Sequence, residues 1–424
     1  MKQSLLILLF IVHFQSKAQN VIFPDVKFKE YLLNNANINL NSDSEIQLSE
    51  AQNVTYINVG HPYGTPNSDR ISSLEGLQSF VNLVTLKCEN NLLTTIDIVQ
   101  NNSLVELDCS FNGISNINIS QNINLEKLYC SNNILSTLDI SHNLALEELS
   151  IAFNQLSGTI DYSQHLFLKI LECSANSFGS IDVTNNLLLT ELRCNSTNLS
   201  TLDVSQNVAL TLLNCNYNLL NNIDVSQNLQ LIYFYCQGNL LNNIDLSLNL
   251  HLKELACGQN QLTTLDLSVN NKLLFLFCMN NQLVNLNIAN GNNINFTYFF
   301  AYENPNLSCI NVDDVNYSNN NWIGNNYLFD PIASFNENCS NLNLGENKIS
   351  NSKLYSNPVE DLMTIEVLEK VNYKLLSITG QELKSGKLNE GISDINFSLL
   401  QKGLYFILFT TEKGKSFTSK VFKN

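Results

Sequence analysis

Eleven cysteines are the most chemically capable side chains in this chain of 424 residues. A thiolate can ligate a metal, attack an electrophile or close a disulfide, and spacing separates these uses. Nine of the eleven are evenly spaced: Cys88, Cys109 and Cys130, then Cys173, Cys194, Cys215, Cys236, Cys257 and Cys278, in steps of 21 residues inside each run. Metal sites want short spacings such as C-x-x-C, and the sequence has none. Thiols on adjacent parallel strands come within disulfide range at Cα, but their Cβ vectors run parallel and do not converge. The spacing therefore points to buried free thiols acting as small hydrophobes, with their ionisation suppressed.

Other reactive groups are sparse. Of five histidines, His13 falls in an N-terminal leader, His61 lies ahead of the cysteine run, and His142, His165 and His251 are isolated, none beside a candidate nucleophile. No phosphate loop or zinc motif occurs, so no catalytic residue is assigned and the expectation is a protein that is not an enzyme. A net charge of −16 with only two arginines, Arg70 and Arg193, argues against a nucleic-acid partner, whose phosphates call for a basic patch. No apolar run reaches the 18 or more residues of a membrane-spanning helix, so no transmembrane segment is expected.

The even spacing requires a repeating element to hold it. The gap from Cys130 to Cys173 is 43 residues, with Ile151 filling the missing slot and one extra residue, Gly158, making that unit 22 long. The unit reads L-x-x-L-x-C-x-x-N-x-L-x-x-[LI]-D-[LIV]-S-x-N-x-x, and eleven copies open at Leu83, Leu104, Leu125 and onward to Leu273 and Phe296. In L-x-x-L-x-C the fourth and sixth residues point the same way along a strand, into the coil. One copy cannot bury that face, so copies must stack with parallel strands about 4.8 Å apart. An Asn follows three residues after nearly every Cys, from Asn91 and Asn112 to Asn281 and Asn304. Its amide both donates and accepts, which suits a turn leaving the sheet. Thr197 is the one departure, where a local weakness and not a break is expected.

These motifs resemble the leucine-rich repeat, with Cys in place of the third strand leucine, over residues 83–306. The 21-residue cysteine form is similar to that of the internalin J-like family of bacterial surface adhesins. The resemblance implies a leucine-rich-repeat solenoid, right-handed and poor in helix, whose concave face binds a ligand.

Outward strand positions vary where inward ones do not. Early copies place Thr85, Lys87 and Glu89, Glu106 and Asp108, or Glu191 and Arg193 there. Late copies place Tyr233 and Tyr235, then Phe275, Phe277 and Met279, then Tyr298, Phe300 and Tyr302, with Glu254, Ala256 and Gly258 between them as a shallow trough. Exposed aromatics side by side mark a candidate binding site for a protein or glycan. A second column (Asp97, Asp139, Asp161, Asp182, Asp203, Asp224, Asp245 and Asp266) faces outward on the convex side. Local hydrogen bonding to backbone and to the neighbouring Ser column is one reading of it, and weak cation binding the other.

The ends differ from the repeat. Residues 1–18 combine Lys2, an apolar Leu5–Val12 core and Ser16-Lys17-Ala18, the pattern of a cleaved signal peptide. Residues 19–82 read as an N-terminal cap with helical spacing from Phe23 to Leu33 and a first strand at Val54–Val59. Between them, residues 39–50 resemble an EF-hand calcium loop, with Asn39, Asn41, Asp43, Glu45 and Glu50 as its oxygen donors. Asn39 in place of Asp, and Ser44 where Gly makes the sharp turn, leave two readings open: a calcium site or a residual cap loop that binds nothing. Residues 307–339 read as a C-terminal cap. There Cys309 and Cys339, off the repeat spacing, point to a disulfide worth about 3 kcal/mol or more by loop entropy, and Trp322 lids the open core. Residues 340–353, rich in Asn and Ser, read as a linker.

From residue 354 the repeat gives way to short alternating strands with turn signals, expected to form a small all-β sandwich. Residues 350–424 hold ten Lys against eight Asp or Glu, a balance of +2, while the remainder stands at −18. Leu354-Tyr355-Ser356-Asn357-Pro358, the Ser377–Gln381 turn, Lys402-Gly403-Leu404-Tyr405 and the terminal Lys420–Asn424 resemble the C-terminal sorting domain of type IX (Por) secretion, with Ser356 where that family usually has Pro. The resemblance implies engagement of the secretion machinery and delivery to the outer surface, or beyond it, of a Bacteroidetes-type bacterium, with signal peptide and sorting domain removed. The expected function is a secreted or surface adhesin; the alternative is a structural coat or matrix protein without a specific ligand.

Overall fold

The computed structural model describes residues 19–339, 352–355, 359–367, 370–377, 381–411 and 416–424. The leader at 1–18, the linker core at 340–351 and the motif residues 356–358 and 378–380 lie outside the described residues. The chain divides into two compact units, one ending at Glu337 and the other running from Asn338 to Asn424.

Each coil of the first unit contributes one strand of two or three residues to a single 13-stranded parallel sheet, from Tyr56–Asn58 to Tyr327–Leu328. The middle residue of each strand turns inward and its neighbours outward, as period-two geometry demands. Leu86, Leu107, Leu192, Leu255 and Leu276 are all fully buried, and so are all nine ladder cysteines, which are free thiols. Full burial of a Leu side chain contributes about 2 kcal/mol, and every coil repeats it. Two residues after the Cys, the chain turns through the left-handed region, at φ 54° for Phe111, 57° for Asn132 and 53° for Tyr217.

The ladder Asn closes that turn and joins coils. Asn112 Oδ1 accepts from Leu93 N (2.9 Å), while its Nδ2 donates to Cys88 O (3.0 Å) and Cys109 O (3.1 Å). At Thr197 the turn stays closed by division of labour. Thr197 Oγ1 donates to Cys194 O (2.6 Å), and Asn218 Oδ1 of the next coil accepts from both Thr197 N (3.1 Å) and Leu199 N (3.0 Å). A second buried Asn column stitches the opposite edge: Asn122 Nδ2 donates to Ile98 O (3.0 Å) and Asn101 O (2.9 Å), and Asn143 through Asn270 repeat the pattern. The S-x-N of the repeat contained this column, and sequence reasoning gave it no role. His165 takes its place in the 22-residue coil, its Nε2 3.1 Å from Ile140 O.

The N-terminal helix spans Val26–Leu33, capped by Asp25, whose Oδ1 accepts from Lys27 N (2.9 Å) and Phe28 N (3.1 Å). Phe23, expected within the helix, precedes it and packs its ring 5.5 Å from that of Phe28. At the other end Trp322 is buried among Phe296, Phe299, Tyr327 and Phe335. Cys309 and Cys339 are each disulfide-bonded. A second parallel sheet of four strands, Thr264–Asp266, Asn285–Asn287, Cys309–Asn311 and Ser334–Asn336, forms in the last coils.

The second unit holds two antiparallel sheets. Ser352–Tyr355, Leu362–Val367 and Gly391–Asn396 form one; Glu382–Leu388, Val371–Leu376, Gly403–Thr411 and Ser416–Lys423 form the other. Met363, Ile365 and Ile395 from the first share one buried cluster with Leu375, Ile407 and Phe409 from the second, a sandwich core.

Candidate functional site

Parallel register sets the outward residues of the late coils in rows. Tyr233, Glu254, Phe275 and Tyr298 stand side by side in one row, and Tyr235, Ala256, Phe277 and Phe300 in the next. Phe275 and Tyr298 stack at 5.5 Å between ring centroids; Phe277 meets Phe300 edge-on at 5.2 Å, and Phe300 lies 6.4 Å from Tyr302. All seven aromatics are at least partly exposed, Tyr298 most of all. They sit on a backbone fixed by neighbouring strands, so their geometry is set before any ligand arrives.

The trough between the walls is narrower than the sequence implied. Gly258 is buried because Met279 lies across it; a Cβ built on Gly258 would stand 2.9 Å from the Met279 sulfur. Ala256 is likewise buried, and Tyr235 Oη donates to Glu254 Oε2 at 2.6 Å. Burial and that carboxylate hold the Tyr235 phenol well above its ordinary pKa. Sequence reasoning missed Tyr217, an exposed residue at a left-handed turn. Its ring covers Gly238, and its Oη accepts from Gln237 Nε2 (3.0 Å). The column two residues after each Cys was the available signal.

The early face is built from ion pairs instead. Lys87 meets Glu106 at 2.9 Å and Lys127 meets Glu148 at 2.7 Å. Tyr129 Oη also donates to Glu148, whose carboxyl is held low by the Lys127 and Tyr129 bonds against its partial burial. Burial pushes the Asp108 and Glu89 carboxyls up.

The outward Asp column is occupied locally. Asp139, Asp161, Asp224 and Asp245 each accept through Oδ1 from the backbone N–H two residues on, at 2.8–2.9 Å. Those bonds hold their carboxyls low. Among the described residues no group of three or more His, Cys, Asp or Glu converges as a metal site would require.

In the cap loop the donors expected to face calcium are taken up by N–H groups. Glu50, nearly fully buried, accepts from Leu40 N (2.8 Å) and Asn41 N (3.3 Å) on one oxygen and from Gln47 N (2.9 Å) on the other. Asp43 accepts from Glu45 N (2.7 Å), Asn41 Nδ2 (2.9 Å) and Gln47 Nε2 (2.8 Å). Asn39 Nδ2 donates to Leu33 O and Asp43 O, and Glu45 pairs with Lys29 at 2.9 Å.

Comparison with known proteins supports both units. Residues 353–424 match the secretion system C-terminal sorting domain. The fold is similar to a crystal structure of an internalin, InlF, from Listeria monocytogenes: TM-score 0.62 at 18% identity over 76% of this chain and 94% of that one. The functional domain of InlJ from the same organism, which includes a cysteine ladder, aligns over 96% of this chain and 99% of its own at 21% identity, with a TM-score of 0.43. No curated protein matches the chain. No helix among the described residues is long and apolar enough to cross a membrane. The chain is a leucine-rich-repeat solenoid followed by a type IX secretion sorting domain, which directs it to the cell surface or outside in Bacteroidetes.

Proposed function

We propose that this protein is a non-enzymatic adhesin that engages a protein or glycan through the strand face of its late coils, at Tyr233, Tyr235, Phe275, Phe277, Tyr298, Phe300 and Tyr302. One observation carries the reading: aromatic side chains fill both outward positions in three of the four late strands, where the repeat itself needs nothing. Inward positions recur in every coil because packing demands them, whereas strands with an aromatic at both outward positions occur only among the late coils; early strands hold single ones such as Tyr129. Aromatic rings held rigidly at van der Waals spacing supply contact area at little entropic cost, which suits stacking on a sugar face or an apolar side chain. The test is an array of glycans and surface proteins probed with the purified chain. Selective binding that Phe277→Ala with Tyr298→Ala removes supports the site. Binding to nothing on such arrays favours the structural-coat reading.

The cap loop fits a structural role better than a cation site. Glu50 accepts from the N-cap backbone N–H of Gln47, closing a capping box at the start of the short helix Leu48–Ala51, and from the loop N–H groups of Leu40 and Asn41. Calcium is expected to leave the melting temperature unchanged. A calcium-dependent rise that Asp43→Ala abolishes would restore the loop as a metal site.

A further inference from the structure

The position directly after the second Asn column faces solvent just before each strand, where a polar residue would be expected. It is Asn102 in one coil and Asn271 in a later one. In all seven coils between them it is Leu, Ile or Val, running unbroken from Ile123 to Leu250 with Leu187 at the centre. All seven are about half exposed, and beside them Phe167 and Leu188 are exposed at 56% and 47%. At about 4.8 Å per coil this is an apolar stripe about 30 Å long. Its area is on the order of 700 Å², above the ~300–600 Å² of the largest patch on an ordinary monomer and near the ~800 Å² per partner of a standard interface.

We propose that this stripe is the contact surface of a homodimer in which two solenoids lie side by side and antiparallel, related by a two-fold axis through Leu187. Two features select the occupant. First, the stripe's repeat is the coil spacing itself, so a second copy matches it rung for rung. Second, charge and size along the stripe are complementary when one copy is reversed. Glu126 flanks the first rung and Lys253 the last; both are exposed and neither takes part in an ion pair among the described residues. A two-fold axis at the central rung sets the Glu126 of each copy against Lys253 of the other. The same operation sets exposed Phe167 against Ala209, a large side chain over a small one. A parallel arrangement would bring Glu126 of both copies to one rung and Lys253 of both copies to another, with no opposite charge between the copies at either, and like charges so grouped are disfavoured.

Sedimentation equilibrium of the purified chain from micromolar to near-millimolar concentration tests the proposal, with far-ultraviolet melting to confirm that each variant folds. The wild type is expected to dimerise, and Leu187→Glu with Leu188→Glu to be monomeric throughout. Glu126→Lys should weaken dimerisation at least tenfold, and adding Lys253→Glu should restore it. Leu187→Cys, on the axis, should cross-link to its own copy on mild oxidation, whereas Leu250→Cys should not. A wild type that stays monomeric, because the C-terminal unit or another protein covers the stripe, overturns the proposal. So does self-cross-linking of Leu250→Cys, or failure of the charge swap to restore association.

Discussion

Two stretches of one sheet, alike inside, present opposite chemistry outside. From Lys87 to Arg193 the strand face is laced by ion pairs, ending where Arg193 donates to Glu191 at 2.6 Å and lies 3.8 Å from Glu172. From Tyr233 to Tyr302 the equivalent positions are mostly aromatic. Beneath both, the interior is a buried column of Leu and Cys, with Phe234 and Phe299 at two of the late Leu positions and Ile151 and Ala301 at two of the Cys positions. A residue that recurs in every coil is there for the fold, and one that appears in a run of coils and then stops is there for another reason. That criterion singles out the late aromatic face and the apolar stripe, and it passes over the cysteines.

The largest effect should come from the shared interior and should not distinguish early coils from late. Burial pushes the Cys130, Cys215 and Cys257 thiols up to about 12, and raises the other six as well. The fold therefore holds these protons more tightly than the unfolded chain does. Stability is full below roughly pH 9 and falls as the pH climbs toward 12, by up to about 1.4 kcal/mol per pH unit for each thiol. Urea titrations at rising alkaline pH should show this steep loss, and an alkylating reagent at neutral pH should leave all nine ladder thiols unmodified until the chain unfolds. Labelling of late but not early thiols would show that the two interiors differ after all.

A smaller effect should separate coils that look alike. Asn112→Ala orphans one backbone N–H and two carbonyls, whereas Asn218→Ala also strips Thr197 N of its acceptor. At about 1–3 kcal/mol for each buried group left unpaired, both substitutions should be severe and Asn218→Ala the worse. Denaturant midpoints compare them directly. Equal losses would mean that Thr197 needs no help from the next coil.

Next in size, Tyr235→Ala with Phe277→Ala should lower ligand affinity tenfold or more, about 1.4 kcal/mol. Glu106→Ala on the early face should change affinity little. Titration of both variants against whichever ligand the arrays identify would settle the contrast, and normal binding by the folded double variant would move the site elsewhere.

How much of this was legible in the sequence follows from what repeats. The solenoid, its inward cysteines and the turn-closing Asn column were readable because the same packing demand is written again in each coil. The aromatic face was readable as a departure from the period. The position of Met279 over Gly258 was not, because a flexible thioether chooses its direction from its neighbours and not from spacing. The role of the second Asn column was missed because a polar residue before a turn reads as a solvated one, and only the fold reveals that Asn122 and its equivalents are fully buried. In the cap loop, residue types suited to calcium proved equally suited to bonding one another, a distinction spacing cannot make.

The smallest expected effect concerns the ion pairs themselves. Lys127 and Glu148 approach within 2.7 Å, yet their side chains keep 39% and 23% of their exposure. Water and salt screen such a pair, and ordering two long side chains offsets part of its Coulomb energy. Lys127→Ala should cost at most about 1 kcal/mol, with most of that loss gone at molar salt. It should cost more than Lys169→Ala, because Glu148 also receives the Tyr129 hydroxyl and is left with one partner, while the Lys169–Glu147 pair, at 2.7 Å, is more open to solvent. Denaturant melts at low and high salt read both quantities. Loss of several kcal/mol on Lys127→Ala, insensitive to salt, would mean that the early face is as specialised as the late one and that its charges are held for a partner of their own.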